Sequence, residues 1–332
     1  MKFLLTAALA LAGFLQPALM QAQTPHAQAP QTNSPIAPQT HSPRDSLHVR
    51  VNLVTVPLTV IGANGGPISG LRPQDFTLTE NGHPETIRLF EQNSSRPLSV
   101  VLAIDTSLSV HKDLSLEKQA AYGFLHALLR PTDRVELLGF AGEVTEIVPF
   151  TSNIRRLDQG LKQMHGEGPT ALYEAVVRGS QEVQWLQGRR IIVVISDGSN
   201  SMTGVDYRQA REAALRARAS IESVILVPIA ASAGRDLGGE HALIQLSRDT
   251  GGQYFYARAS GELPDALTQL SQSLRSEYLL GYYPVSVETR LADGFRQIHV
   301  QMKNSMLNAE YRLHCRTGYY ANPEHESDIL HR

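Results

Sequence analysis

Two aliphatic runs, each ending on a carboxylate, constrain this fold more than any other feature of the chain. The first is Leu98-Ser99-Val100-Val101-Leu102-Ala103-Ile104, followed by Asp105-Thr106-Ser107-Leu108-Ser109. The second is Arg189-Arg190-Ile191-Ile192-Val193-Val194-Ile195, followed by Ser196-Asp197-Gly198. Mostly apolar runs of this length read as strands buried on both faces, as in parallel sheets. In open α/β sheets, ligands bind beyond the carboxyl ends of the strands, where both aspartates fall. Asp105, Ser107 and Ser109 offer one carboxylate and two hydroxyls at alternate positions. Oxygen donors with a single acidic group suit a hard divalent cation, and Mg²⁺ in particular keeps several waters and needs few carboxylates. The same residue types also suit turn and N-cap positions with no ligand.

The intervening sequence alternates helix and strand patterns. Helical apolar spacing runs from Leu114 to Leu129 and stops at Arg130-Pro131, as a proline following a helix predicts. Residues 133–140 and 144–150 read as a hairpin about Gly142, and Asn153 to Met164 as a helix. Gly168-Pro169 then sets Thr170 at the mouth of a helical segment reaching about Gln187. Beyond Asp197, the pattern predicts a helix over Tyr207 to Ala219 and a strand over Ser223 to Ala230. A short helix over Leu243 to Arg248, a strand over Gly252 to Tyr256 and a helix over Glu262 to Arg275 complete it. Such alternation predicts a doubly wound α/β, Rossmann-like arrangement: a mainly parallel sheet covered on both faces, with one antiparallel edge strand from the hairpin.

Asp105, Ser107, Ser109, Thr170 and Asp197, in that order on three loops, resemble the metal-ion-dependent adhesion site of von Willebrand factor type A domains. The resemblance covers residues 96–276. It implies that the two serines and the threonine bind a Mg²⁺ or Mn²⁺ ion directly, while the aspartates act mostly through water. It also implies a protein partner whose Asp or Glu supplies the sixth ligand. Two positions depart from the family pattern. Pro169 stands where a second glycine is usual, fixing φ near −65°, and neutral Ser199-Asn200-Ser201 stands where another acidic residue is common.

The flanks carry further strand patterns. Residues 51–60 alternate and are followed by an Asn64-Gly65 turn signal. Leu71 to Gly82 reads as turn, strand and a second Asn-Gly turn, and Ile87 to Phe90 as a short strand. Segments 277–284, 295–302 and 310–316 read as three more strands, ahead of Gly318-Tyr319-Tyr320. A strand-turn-strand prelude with Asp75-Phe76, and the coda Tyr278-Leu279-Leu280-Gly281-Tyr282-Tyr283-Pro284, resemble the type A-related family abundant in Acidobacteria. The tyrosines read as strand packing in preference to a sugar-stacking platform. Neither flank has enough strands to bury a core alone, so 48–95 and 277–320 are expected to pair into a small β-sandwich-like domain built from both chain ends.

Residues 1–22 have a basic start and a short apolar run, the pattern of a secretory signal. Residues 23–47, rich in Pro, Gln, Thr, Ser and His, read as a disordered linker, and 321–332 as a tail. No later segment has the roughly 18 apolar residues a membrane span needs. Cys315 is the only cysteine, so an internal disulfide is excluded. Together these predict an exported protein of the periplasm or exterior. A net charge of −2 without a long basic block argues against a nucleic-acid binder.

Hydrolase, phosphate-loop and zinc-protease signatures are absent. Among the twelve histidines, only His165 lies near a candidate loop, and a solvent-exposed role suits it better than a catalytic one. Asp105 as an aspartyl-phosphate nucleophile is disfavoured because Ser107 occupies the place of the usual second aspartate. The expected function is metal-dependent binding of an acidic group on a protein, with no catalytic residue and no nucleic acid. A metal-independent scaffold in an envelope complex is the alternative, and a metal-assisted hydrolase the third reading.

Overall fold

The computed structural model describes residues 53–92, 96–108, 114–166, 168–227, 236–258, 260–284 and 294–321. The expected signal, linker and most of the tail lie outside these residues, as does Ser109. All described residues belong to one unit, Val49–Arg332.

The chain begins with β1 (Val54–Ile61), β2 (Phe76–Glu80), β3 (His83–Glu85) and β4 (Ile87–Gln92). It then builds an α/β layer from β5 (Leu98–Asp105), α1 (Leu114–Leu128), β6 (Arg134–Phe140), β7 (Val144–Thr151), α2 (Ile154–Gln163) and α3 (Leu172–Val183). The layer is completed by β8 (Arg189–Ser196), α4 (Tyr207–Ala217), β9 (Ala219–Leu226), α5 (Leu237–Thr250), β10 (Tyr254–Ala257) and α6 (Leu263–Leu274). The six-stranded sheet runs β10-β9-β8-β5-β6-β7. Its strands are parallel except β7, the antiparallel partner of β6. All eight residues of β5 are buried. Val100, Leu102 and Ile104 enter the core under α1, α2 and α6, and Val101 and Ala103 enter the one under α3, α4 and α5. A strand covered on both faces has no polar face, and this is why β5 and β8 appear in the sequence as continuous aliphatic runs.

β6 carries one exception. Glu136 is 1% exposed, and its carboxylate oxygens approach those of Glu146 and Glu182 within 4.8 Å. Burial, reinforced by the charges of Glu182 and Glu146 and opposed by Arg178, raises its carboxyl to about 8.

Elements that differ in extent from the sequence expectation include α3, which ends at Val183 rather than about Gln187, the expected strand over 310–316, of which only Arg312–His314 is strand, and α5 and β9. Helix α5 starts at Leu237 rather than Leu243, capped by Asp236, whose carboxylate accepts from the Gly239 N–H at 2.9 Å. Strand β9 starts at Ala219 and ends at Leu226, its first residue pairing with Arg190 of β8.

After α6 come β11 (Tyr278–Tyr282), β12 (Phe295–Met302), the single turn α7 (Leu307–Glu310), β13 (Arg312–His314) and β14 (Gly318–Tyr320). They join the first four strands in two sheets, β13-β1-β11-β4 and β14-β12-β2-β3. A common core that includes Val56, Leu58, Val60, Leu78, Ile298, Val300 and Met302 lies between them. This is the small sandwich built from both chain ends. Its tyrosines both pack and hydrogen-bond. Fully buried Glu80 accepts from the Tyr282 hydroxyl at 2.5 Å and the Tyr319 hydroxyl at 3.0 Å, and pairs with Arg296 at 2.7 Å.

Candidate functional site

Asp105 is the last residue of β5 and is wholly buried. Its Oδ1 accepts the Ser107 N–H at 2.9 Å, and its Oδ2 accepts the Ser196 hydroxyl at 2.6 Å. Ser196 in turn accepts the Gly198 N–H at 3.1 Å. The Oδ1 of Asp197 accepts the Ser199 N–H at 2.9 Å. Burial raises the Asp105 carboxyl to about 6; the hydrogen bonds from Ser196 and Ser107 pull it back, and the negative charge of Asp197 pushes it further up. No cationic side chain figures among these influences.

Backbone hydrogen bonds stitch the three loops together. Leu108 N–H donates to Gly168 O at 3.3 Å, which ties the Asp105 loop to the threonine loop. Ser201 and Met202 N–H donate to Thr170 O at 2.9 and 3.3 Å, which ties the threonine loop to the Asp197 loop. Ser107 and Thr170 are both buried. Gly168 has φ +115°, a conformation open to glycine and strained for other residues. It lets the chain turn before Pro169, whose ring packs so close to Gly142 that a Cβ there would lie 3.4 Å from the proline Cδ.

Asn200 has a defined structural task. Its Oδ1 accepts the Tyr173 N–H at 3.3 Å, and its Nδ2 donates to Met202 O at 2.7 Å. The N-cap residue of α3 is Ala171, which has no capping side chain. Asn200 therefore satisfies an N–H at that helix start from across the loop. A carboxylate here would accept the first bond but could not donate the second. Gly198, at φ +90°, brings the Asp197 loop against the first turn of α5, where a Cβ would meet the Gly239 carbonyl carbon at 2.6 Å.

The structure thus places Asp105, Ser107, Thr170 and Asp197 on three adjoining loops at the carboxyl end of the parallel strands. Ser109 lies outside the described residues. His165 is exposed, with its ring Nδ1 2.8 Å from Gln163 O, and takes no part in the constellation. Sequence reasoning missed Ser196. Its signal was a hydroxyl in the last strand position of an otherwise aliphatic run, directly before Asp197.

Residues 100–199 match the family described as von Willebrand factor type A domain. The α/β layer carries this type A match, which runs from within β5 to the loop after β8. Solved structures similar to the chain include a von Willebrand factor type A protein from Catenulispora acidiphila, at 8% identity and a TM-score of 0.49, covering 79% of this chain and 71% of that one. BatB from Bacteroides thetaiotaomicron matches at 20% identity and a TM-score of 0.43, covering 54% of this chain and 100% of that one. Proximal thread matrix protein 1 from the mussel byssus, a structure with a zinc-occupied MIDAS motif, matches at 12% identity and a TM-score of 0.47, covering 56% and 47%. No curated protein matches the chain. Among the described residues, no helix is long and apolar enough to cross a membrane.

Proposed function

We propose that this protein is an exported binding module whose type A domain uses a divalent ion to engage an acidic group on a protein partner. The observation that carries this reading is the stitched set of three loops around a wholly buried carboxylate, Asp105, with a second carboxylate, Asp197, on the adjoining loop. Two carboxylates and several hydroxyls form a hard-oxygen donor set that suits Mg²⁺ or Mn²⁺. Ser107, Ser109 and Thr170 would hold the ion directly. Asp105 and Asp197, each with an oxygen engaged by a loop N–H, would act through water. When bound, the ion supplies an electrophilic bridge to a partner Asp or Glu. The chain's own contribution is to hold the three loops in register before any partner arrives.

Calorimetry on the mature protein is expected to show weak Mg²⁺ or Mn²⁺ binding that Asp105→Ala abolishes while the circular dichroism spectrum is kept. Equal uptake by wild type and variant overturns the site. A pull-down from envelope extract with and without chelator separates this function from a metal-independent scaffold, for which the captured partner would be unchanged by chelation.

A further inference from the structure

At the amino-terminal ends of β8 and β9, opposite the candidate metal loops, the type A domain and the sandwich enclose a cavity of about 130 Å³. Five arginines line it: Arg96, Arg189, Arg190, Arg218 and Arg316. Two carboxylates meet this group: Glu222 lies 3.8 Å and Glu277 3.1 Å from the same residue, Arg189. Glu277 also attracts Arg96. Burial raises both carboxyls, and the charge of Arg189 pulls each back down. Further hydrogen bonds from these arginines run to neutral carbonyls. Arg96 donates to Gly188 O at 3.2 Å, Arg190 to Leu186 O and Ala217 O at 2.9 and 2.8 Å, and Arg316 to Thr55 O at 2.7 Å.

Arg96 aside, Arg189, Arg190, Arg218 and Arg316 line one cleft in which both of these carboxylates pair with the same residue, Arg189, so cations outnumber the carboxylates that meet them. The strain shows in the arginines themselves. Burial and then the charges of Arg218 and Arg96 lower Arg190. Burial and then Arg218 bring Arg316 down to about 10. Arg316 is 7% exposed, and its Nε has no hydrogen-bond partner. A buried charged donor without an acceptor is costly. One ligand type answers the volume, the excess charge and the orphan donor together.

We propose that this cavity binds a phosphate-class dianion, either free or as the terminal phosphate of a small soluble ester. A single water needs about 10–15 Å³ of such volume, so the cavity accepts a tetrahedral oxyanion. Guanidinium forks match its oxygens. A monocarboxylate would offset only one positive charge. Bound there, the anion would join Arg190 and Arg218 of the type A domain to Arg316 of the sandwich, and so link the two layers.

The test is thermal unfolding and calorimetry with inorganic phosphate, and in a second arm glycerol 3-phosphate, against chloride at equal ionic strength. A saturable rise in melting temperature is expected, because the anion binds only the folded state. Arg218→Gln, at an exposed position, should weaken binding about tenfold while melting like wild type in chloride. Arg190→Lys should weaken it as well, since it keeps a charge but loses the fork. Arg155→Gln, exposed on α2, should bind like wild type. Binding of both probes assigns the site to phosphate esters, and binding of phosphate alone assigns it to the free ion. No saturable effect with either probe, or equal binding by wild type, Arg218→Gln and Arg190→Lys, overturns the proposal.

Discussion

Replacing Glu136 by Gln should stabilise the protein, and by an amount that depends on pH in a defined direction. Glu136 is buried in β6 with two other carboxylates near it, and its folded-state value is about 8 against an ordinary 4.5. Below about 4.5 the group is neutral in both states and exerts no pull on the folding equilibrium. Between 4.5 and 8 the unfolded chain ionises while the folded one keeps its proton, so stability falls as pH rises through that window. At pH 7 the loss is about 3 kcal/mol, from about 1.4 kcal/mol for each of some 2.5 units. Glutamine keeps the shape, removes the ionisation, and offers an N–H to the Glu146 and Glu182 carboxylates. Urea unfolding of both proteins at pH 4.5, 7 and 8 reads the difference directly. Glu136→Gln should be more stable by about 3 kcal/mol at pH 7, with the gap closing toward pH 4.5. A variant less stable than wild type at pH 8, or a gap independent of pH, would refute the reasoning.

Gly198→Ala should lose about 2–4 kcal/mol in chemical denaturation, from the left-handed φ and the 2.6 Å approach to the Gly239 backbone; wild-type stability in this variant would exclude so close an approach. Tyr282→Phe should lose about 1–2 kcal/mol, because Glu80 keeps Tyr319 and Arg296 but gives up one buried hydrogen bond. An unchanged melt would remove that bond from the account. Truncation after residue 276 takes away β11, which lies between β1 and β4, and β12, which flanks β2. Limited proteolysis of the truncated chain should then cut within 54–92 while 98–275 stays protected; continued protection of 54–92 would show that it does not need the chain end.

The parts most legible in the sequence were those where burial acts on every residue. β5 and β8 have no polar face, so their aliphatic runs and terminal aspartates stand out. The β6–β7 hairpin was marked by Gly142. The start of α5 was hidden because Gly238 and Gly239 read as helix breakers. At Gly239 the cause is a close approach, since a Cβ there would lie 2.0 Å from Gly198 O. The start of β9 was masked by Glu222, a charged residue inside a strand. Its carboxylate is taken up by the Gln253 N–H at 2.7 Å and by Arg189, contacts that depend on distant segments. β3 was passed over because Pro84 argues against a strand, although prolines are tolerated at sheet edges, and β3 is an edge. Within the candidate site, the carboxylates and hydroxyls were visible as spacing. The role of Ser196 and the double duty of Asn200 were not, because both depend on contacts between loops that only the folded sheet brings together.

The pairing of β4 with β11 bears on the order of events in folding. Gln92 and Tyr278 are register partners, yet the whole type A domain lies between them in sequence. In a disordered chain, bringing these residues together means closing a very long loop, with an entropic penalty met before any strand contact is gained. Once the α/β layer has formed, its first and last elements lie side by side, since the Leu98 N–H and the Arg275 guanidinium both reach the Asp133 carboxylate, and the loop is already closed. The domain thereby serves the sandwich as an internal crosslink. A lesion in the β5 or β8 core should consequently slow sandwich formation as strongly as one in the sandwich itself, although no residue of the sandwich has changed.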